Sequence, residues 1–135
     1  MPTQRKDGGI DVSLLDETIF ECRARGHLCL DHVLAAQAEI ERLARVIVGT
    51  VDSLYDGAAI ESFEPGLPIR WVRWAGAHGE RPRRVAIVAR TGPMTAVART
   101  FRVLMPTIRL AIFTDRAAAL AFLRAANDGD VRGDR

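Results

Sequence analysis

The chain has 135 residues, 48% of them apolar and 27% charged, the make-up of one globular domain with no room for a second. Its net charge of +2, from 19 basic and 17 acidic residues, is far below that of a dedicated nucleic-acid binder. No apolar run approaches the roughly 18 residues of a membrane span, and the polar stretch Met1–Gly9 carries no signal-peptide core.

Residues 1–11 are polar and glycine-containing and are expected to form a disordered tail, with the folded part over 12–126 and a second tail over 127–135. Thr18–Arg23 and His27–Leu30 read as a hairpin. A three-residue loop, Ala24–Gly26, would place Gly26 in the left-handed conformation and pair Cys22 with Leu28 and Phe20 with Leu30. Phe20, Cys22, Leu28 and Leu30 then share one face, and Glu21, Arg23, His27 and Cys29 the other. This register leaves Cys22 buried and inert, with no disulfide to Cys29. Two cysteines are too few for a disulfide scaffold, and a cytoplasmic location with reduced thiols is expected. The dominance of arginine, with Lys6 the only lysine, reads as codon bias of a GC-rich genome.

Asp31 is a candidate N-cap for a helix reaching about Ala44, with Val33, Ala36, Ile40 and Leu43 on its apolar stripe. Val46–Val51 reads as a buried, β-branched strand. Asp52–Pro68 would then be an unusually long connection, with a short helical turn within Gly57–Phe63. From Leu67 to about His78 a helix is expected, with Leu67, Trp71, Trp74, Ala75 and His78 on one face and Arg70 and Arg73 turned away.

The second half is plainer. Val85–Ala89 is a continuous apolar strand. Pro93 suits the first turn of a helix whose buried stripe is Met94, Val97, Ala98, Phe101, Leu104 and Met105, ended by Pro106. Arg109–Phe113 is a strand, and Thr114 or Asp115 caps a last helix over Arg116–Ala126, stopped by Asn127-Asp128-Gly129, with Ala119, Phe122 and Leu123 inward. Alternating strands and helices predict a single α/β domain. It has a mainly parallel sheet of four or five strands, an N-terminal hairpin and about four helices.

The segments Arg84–Arg90 (RVAIVAR) and Ile108–Leu123 (IRLAIFTDRAAALAFL), with the helix between them, resemble the STAS superfamily, the anti-sigma-factor-antagonist-like domains. The resemblance implies a bacterial, non-enzymatic regulatory or scaffold module that acts by protein–protein interaction and needs no cofactor. Many such domains carry a phosphorylated Ser or Thr after the third strand. Asp52-Ser53 takes that place here, although Leu54 and Tyr55 replace the family's following residues. Ser53 is therefore the candidate phosphoacceptor. On this reading Ser53→Asp folds normally and loses its partner.

Asp52, Asp56, Arg70, Arg73, Arg81 and Arg84 are the candidate partner-binding residues, and the arginines predict a protein partner with an acidic surface. A homo-oligomer is compatible with the sequence; nucleic acid and a membrane span are not expected. The alternative function is a carrier of a small apolar ligand or lipid, held near Trp71 and Trp74. Cys22, His27, Cys29 and His32 are residue types that suit zinc, but strand alternation separates them, and no metal site is expected. His78 lacks a nucleophile context, and Thr91-Gly92-Pro93 lacks the further glycines or lysine of a phosphate loop.

Overall fold

A computed structural model describes residues 8–47, 51–77, 84–90, 92–104 and 109–133. The elements are β1 (Gly9–Leu15), β2 (Ile19–Leu28), α1 (Leu30–Ala44), β3 (Asp52–Phe63), α2 (Leu67–Ala77), β4 (Arg84–Val88), α3 (Gly92–Leu104), β5 (Arg109–Phe113) and α4 (Arg116–Gly133). The strands form one sheet in the order β1-β2-β3-β4-β5. β1 and β2 are antiparallel, and β2 to β5 are parallel. Each parallel crossover joins adjacent strands, and right-handed crossovers that advance in one direction put α1, α2 and α3 on the same face. Their buried residues, including Val33, Ile40, Trp71, Val72, Ala98 and Phe101, pack with Phe20, Cys22, Val85 and Ile87 of the sheet. The chain then turns back, and α4 covers the opposite face, where Ala119 and Leu123 meet Ile19, Leu54, Ala86 and Val88.

The hairpin exists, but one strand earlier than the sequence predicts. β1 pairs with β2 through Val12↔Cys22 and Leu14↔Phe20, not Cys22 with Leu28 or Phe20 with Leu30. The turn is at Asp16 and Glu17, both at positive φ, closed by the Thr18 N–H donating to the Leu15 carbonyl at 3.0 Å. Gly26 does take a left-handed φ of 67°, but within β2, beside a shift in its register with β3. A bulge and a hairpin turn ask the same of a glycine, which is why the local signal was ambiguous. The side-chain alternation survives the correction: Phe20, Cys22 and Leu28 share the three-helix face, while Leu30 opens α1. β1 also draws Gly9–Asp11 into the sheet, out of the expected tail.

Two further boundaries move. The third strand is Asp52–Phe63, not Val46–Val51, and neither a long loop nor a helical turn occupies 57–63. Val46 is 74% exposed, and 48–50 lie outside the described residues. At the other end α4 runs on to Gly133, through the predicted stop. One glycine in a helix costs about 1 kcal/mol, too little by itself to end a helix. Cys29, not Asp31, is the N-cap of α1, and Asp31 sits in its first turn.

β3 is long, and this shapes the site. It pairs with β2 as far as Phe63 but with β4 only from Ser53 to Asp56. The ends of β2 and β3 therefore project past β4 as an arm. α1 and α2 run side by side beneath it. Glu64, at the end of the arm, accepts the Leu30 N–H at 3.0 Å where α1 begins, and Trp74 Nε1 donates to Glu41 at 3.0 Å near their other ends.

Candidate functional site

The two sheet faces carry different chemistry. On the α4 face, Glu21 lies in β2 between the apolar Phe20 and Cys22 and is only 3% exposed. Arg116, in the first turn of α4, clamps its carboxylate through both Nε and Nη2, the latter at 3.0 Å from Oε1. That pairing holds the Arg116 guanidinium above its ordinary pKa. One register step along the sheet, Arg23 Nε lies 3.6 Å from Asp56 Oδ2, and Asp56 Oδ1 accepts the Ala58 N–H at 3.1 Å. These ion pairs join β2, β3 and the start of α4 at the carboxyl end of the sheet.

On the three-helix face an apolar cavity of about 110 Å³ opens between the β2–β3 arm, α2 and α3, lined by Cys22, Tyr55, Ile60, Trp71, Met94 and Phe101 among others. Burial pushes the Cys22 thiol from its ordinary 9.0 up to about 12, helped by the nearby Glu21 charge. Tyr55 is likewise pushed to about 12, first by burial and then by Cys22, against the opposing pull of the nearby Trp71 N–H and Ser53 hydroxyl. Tyr55 stands edge-on to Trp71 at 5.9 Å between ring centroids and stacks on Phe101 at 5.8 Å. Gly57 lines the same cavity, and a Cβ there would meet Met94 Cε at 2.7 Å.

The predicted site residues that the structure describes do not converge. Ser53 lies inside β3 and is 6% exposed, not in a loop after the third strand. A phosphate or the carboxylate of Ser53→Asp would be buried beside Tyr55, so the substitution is now expected to destabilise the fold. Asp52 and Arg84 meet at the opposite end of the sheet, where both are buried and the Arg84 N–H donates to Asp52 Oδ1 at 3.1 Å. Neither offers a docking surface. Asp56 is held in the ion-pair array described above. Arg70 and Arg73 are exposed on α2, as expected. Arg81 lies outside the described residues, as do His78 and Thr91.

Of Cys22, His27, Cys29 and His32, only the last two meet, with Cys29 Sγ 3.6 Å from His32 Nδ1. Cys22 faces the cavity, His27 Nδ1 lies 2.7 Å from the Ser62 hydroxyl, and His32 Nδ1 accepts the Cys29 N–H at 3.2 Å. Among the described residues no three His, Cys, Asp or Glu side chains gather as a metal would need. Both cysteines are free. No described helix is long and apolar enough to cross a membrane.

Sequence reasoning missed Glu21, Arg116 and Tyr55. A lone acid inside an apolar strand was the one available sign of Glu21; its partner stands 95 residues away.

This architecture superimposes on an uncharacterised protein of the DUF3478 family with a SpoIIAA-like fold, from Shewanella loihica PV-4. The TM-score is 0.69 and the identity 20%, over 86% of this chain and 94% of that one. The protein has a STAS-like fold. It also superimposes on the anti-sigma factor antagonist SpoIIAA in its unphosphorylated form, with a TM-score of 0.56 and 15% identity, over 87% of this chain and 98% of that one. No family model and no curated protein matches the sequence. The STAS-like fold puts the carboxyl ends of β2 and β3, and the starts of α1 and α2, at one end of the molecule.

Proposed function

We propose that this STAS-like domain is a non-enzymatic regulatory module that works by binding another protein at the end of the sheet where α1 and α2 begin. One observation carries the reading. Two large apolar side chains are exposed in the opening turns of these neighbouring helices, Leu34 at 48% and Ile69 at 46%. Exposed Arg70 and Arg73 stand beside Ile69 on α2. Exposed apolar side chains with cations beside Ile69 fit a partner that brings apolar contacts flanked by carboxylates. The likeness to an anti-sigma factor antagonist supports the same class of action through the fold alone. A cytoplasmic setting in a bacterium belongs to this reading.

The buried Ser53 would become available to a kinase only if the start of β3 opened, so the docking surface carries the proposal without a phosphoswitch. The test is affinity purification of the tagged protein from its native cells. A stoichiometric partner is expected with the wild type and with Arg124→Glu on α4. It should be lost with Ile69→Asp and with the double variant Arg70→Glu/Arg73→Glu, while circular dichroism and melting stay unchanged. A partner retained by both folded α2 variants would refute the surface.

A further inference from the structure

Trp71 lines the apolar cavity, and its indole Nε1–H is buried with no hydrogen-bond partner among the described residues. The indole N–H is near enough to the Tyr55 hydroxyl to favour its ionised form, but the two are not in hydrogen-bonding geometry. A buried indole N–H normally finds an acceptor, and leaving one unmade is costly. Here the donor stands at the wall of a space of about 110 Å³ whose other walls are hydrocarbon, aromatic and thioether side chains. An engineered apolar cavity of about 150 Å³ in another protein takes up benzene, so a space of this order can seat a ring or a short branched chain.

We propose that the cavity is a binding site for a small neutral molecule with an apolar body and a single hydrogen-bond acceptor, a carbonyl or ether oxygen, that takes the Trp71 N–H. The acceptor is neutral for a physical reason. Among the described residues no lysine, arginine or histidine lines the cavity, and the Asp56 carboxylate is turned to the other face, toward Arg23. An anionic head would lose its hydration with no cation in return. The Tyr55 hydroxyl stays protonated at any physiological pH and adds a second neutral dipole beside the head. Gly57 keeps the space open, since a side chain there would press Met94 inward. This site lies on the inner side of α2 and stands independently of the docking surface on its outer side.

Three probes of similar size separate the possibilities: acetophenone, with a neutral acceptor; ethylbenzene, with none; and benzoate, with a charged one. Each is titrated into the full-length protein, uniformly ¹⁵N-labelled. The readout is the Trp71 indole N–H resonance, assigned by comparison with Trp74→Phe. Acetophenone is expected to shift that resonance saturably and to bind about 3- to 10-fold more tightly than ethylbenzene, the ratio that one net hydrogen bond supplies. Benzoate is expected to leave it unmoved. In Trp71→Phe, which keeps an aromatic ring and loses the donor, the preference for acetophenone over ethylbenzene should fall to about one. If that variant does not fold, the wild-type ratio decides alone. Equal binding of acetophenone and ethylbenzene would overturn the role of the N–H. Benzoate binding as tightly as acetophenone would overturn the neutral head. A Trp71 resonance unmoved by all three would overturn the site.

Discussion

The two faces of the sheet are built on opposite principles. The face under α1, α2 and α3 is apolar and aromatic, and its packing stops short of closure, leaving the cavity beside Trp71. The face under α4 is covered by one helix and is drawn together by ion pairs, with Glu21 and Arg116 at their centre. The first face derives its stability from burial and keeps room for something else. The second derives part of its geometry from charges that must meet, which fixes where α4 begins. One sheet can thus be drawn together by charge on one face and keep an open space on the other.

The largest expected effect tests the packed face. Phe101→Ala should cost about 3–5 kcal/mol in urea unfolding, because Phe101 is buried and stacked on Tyr55. Phe122, expected from the sequence to be equally buried, is only partly so and packs against Phe113 at 5.4 Å. Phe122→Ala should therefore cost less, about 1–2 kcal/mol. Equal losses would mean that the faces are packed alike.

The same face should fail in alkali. Cys22 and Tyr55 ionise at about 12 in the folded chain, against ordinary values of 9.0 and 10.0. Between those limits the unfolded chain has released protons that the folded chain still holds, so stability falls as pH rises. Cys22 alone should account for a loss on the order of 4 kcal/mol by pH 12. Unfolding free energies measured from pH 8 to 11 should fall steeply in the wild type and less so in Cys22→Ala. Parallel curves would remove Cys22 from the account.

The charged face gives a smaller effect. Arg116→Ala leaves a buried carboxylate without its clamp. A loss of about 2–3 kcal/mol is expected, less than for a fully buried pair because Arg116 is 36% exposed. Arg116→Lys should recover only part of it, since an ammonium cannot make the bidentate contact. Unchanged melting of Arg116→Ala would show that apolar packing alone seats α4. Arg70→Glu/Arg73→Glu, on the outer surface of α2, should change stability by less than about 0.5 kcal/mol.

The same contrast governs what could be read in the sequence. β4, α3, β5 and the start of α4 were legible because their signals are local: an apolar run, a Pro at a helix start, an acidic cap whose Asp115 Oδ1 does accept the Ala118 N–H at 2.9 Å. β3 was not. Its segment DSLYDGAAIESF carries two aspartates, a glycine and a glutamate, all poor strand formers. It is a strand because β2 and β4 flank it and because Asp52 and Asp56 find backbone N–H groups at 3.1 Å, one of them 32 residues away. The misplacement carried Ser53 with it, from a buried strand into an imagined loop. Arg70 and Arg73 were placed correctly, since helical spacing alone turns them from Trp71 and Val72. The cavity could not be foreseen, because it lies where residues from six elements fail to fill a space.

The central claim is that partner binding belongs to the α1–α2 end of the molecule and not to the α4 face. Site-specific photocrosslinking tests it most directly, with a benzophenone amino acid at exposed Ile69 of α2 and, separately, at exposed Ala125 of α4. The account predicts one discrete crosslinked protein from position 69 in native cells, weakened by Arg70→Glu/Arg73→Glu, and none from position 125. A crosslink from position 125 alone, or an identical one from both positions, would contradict it.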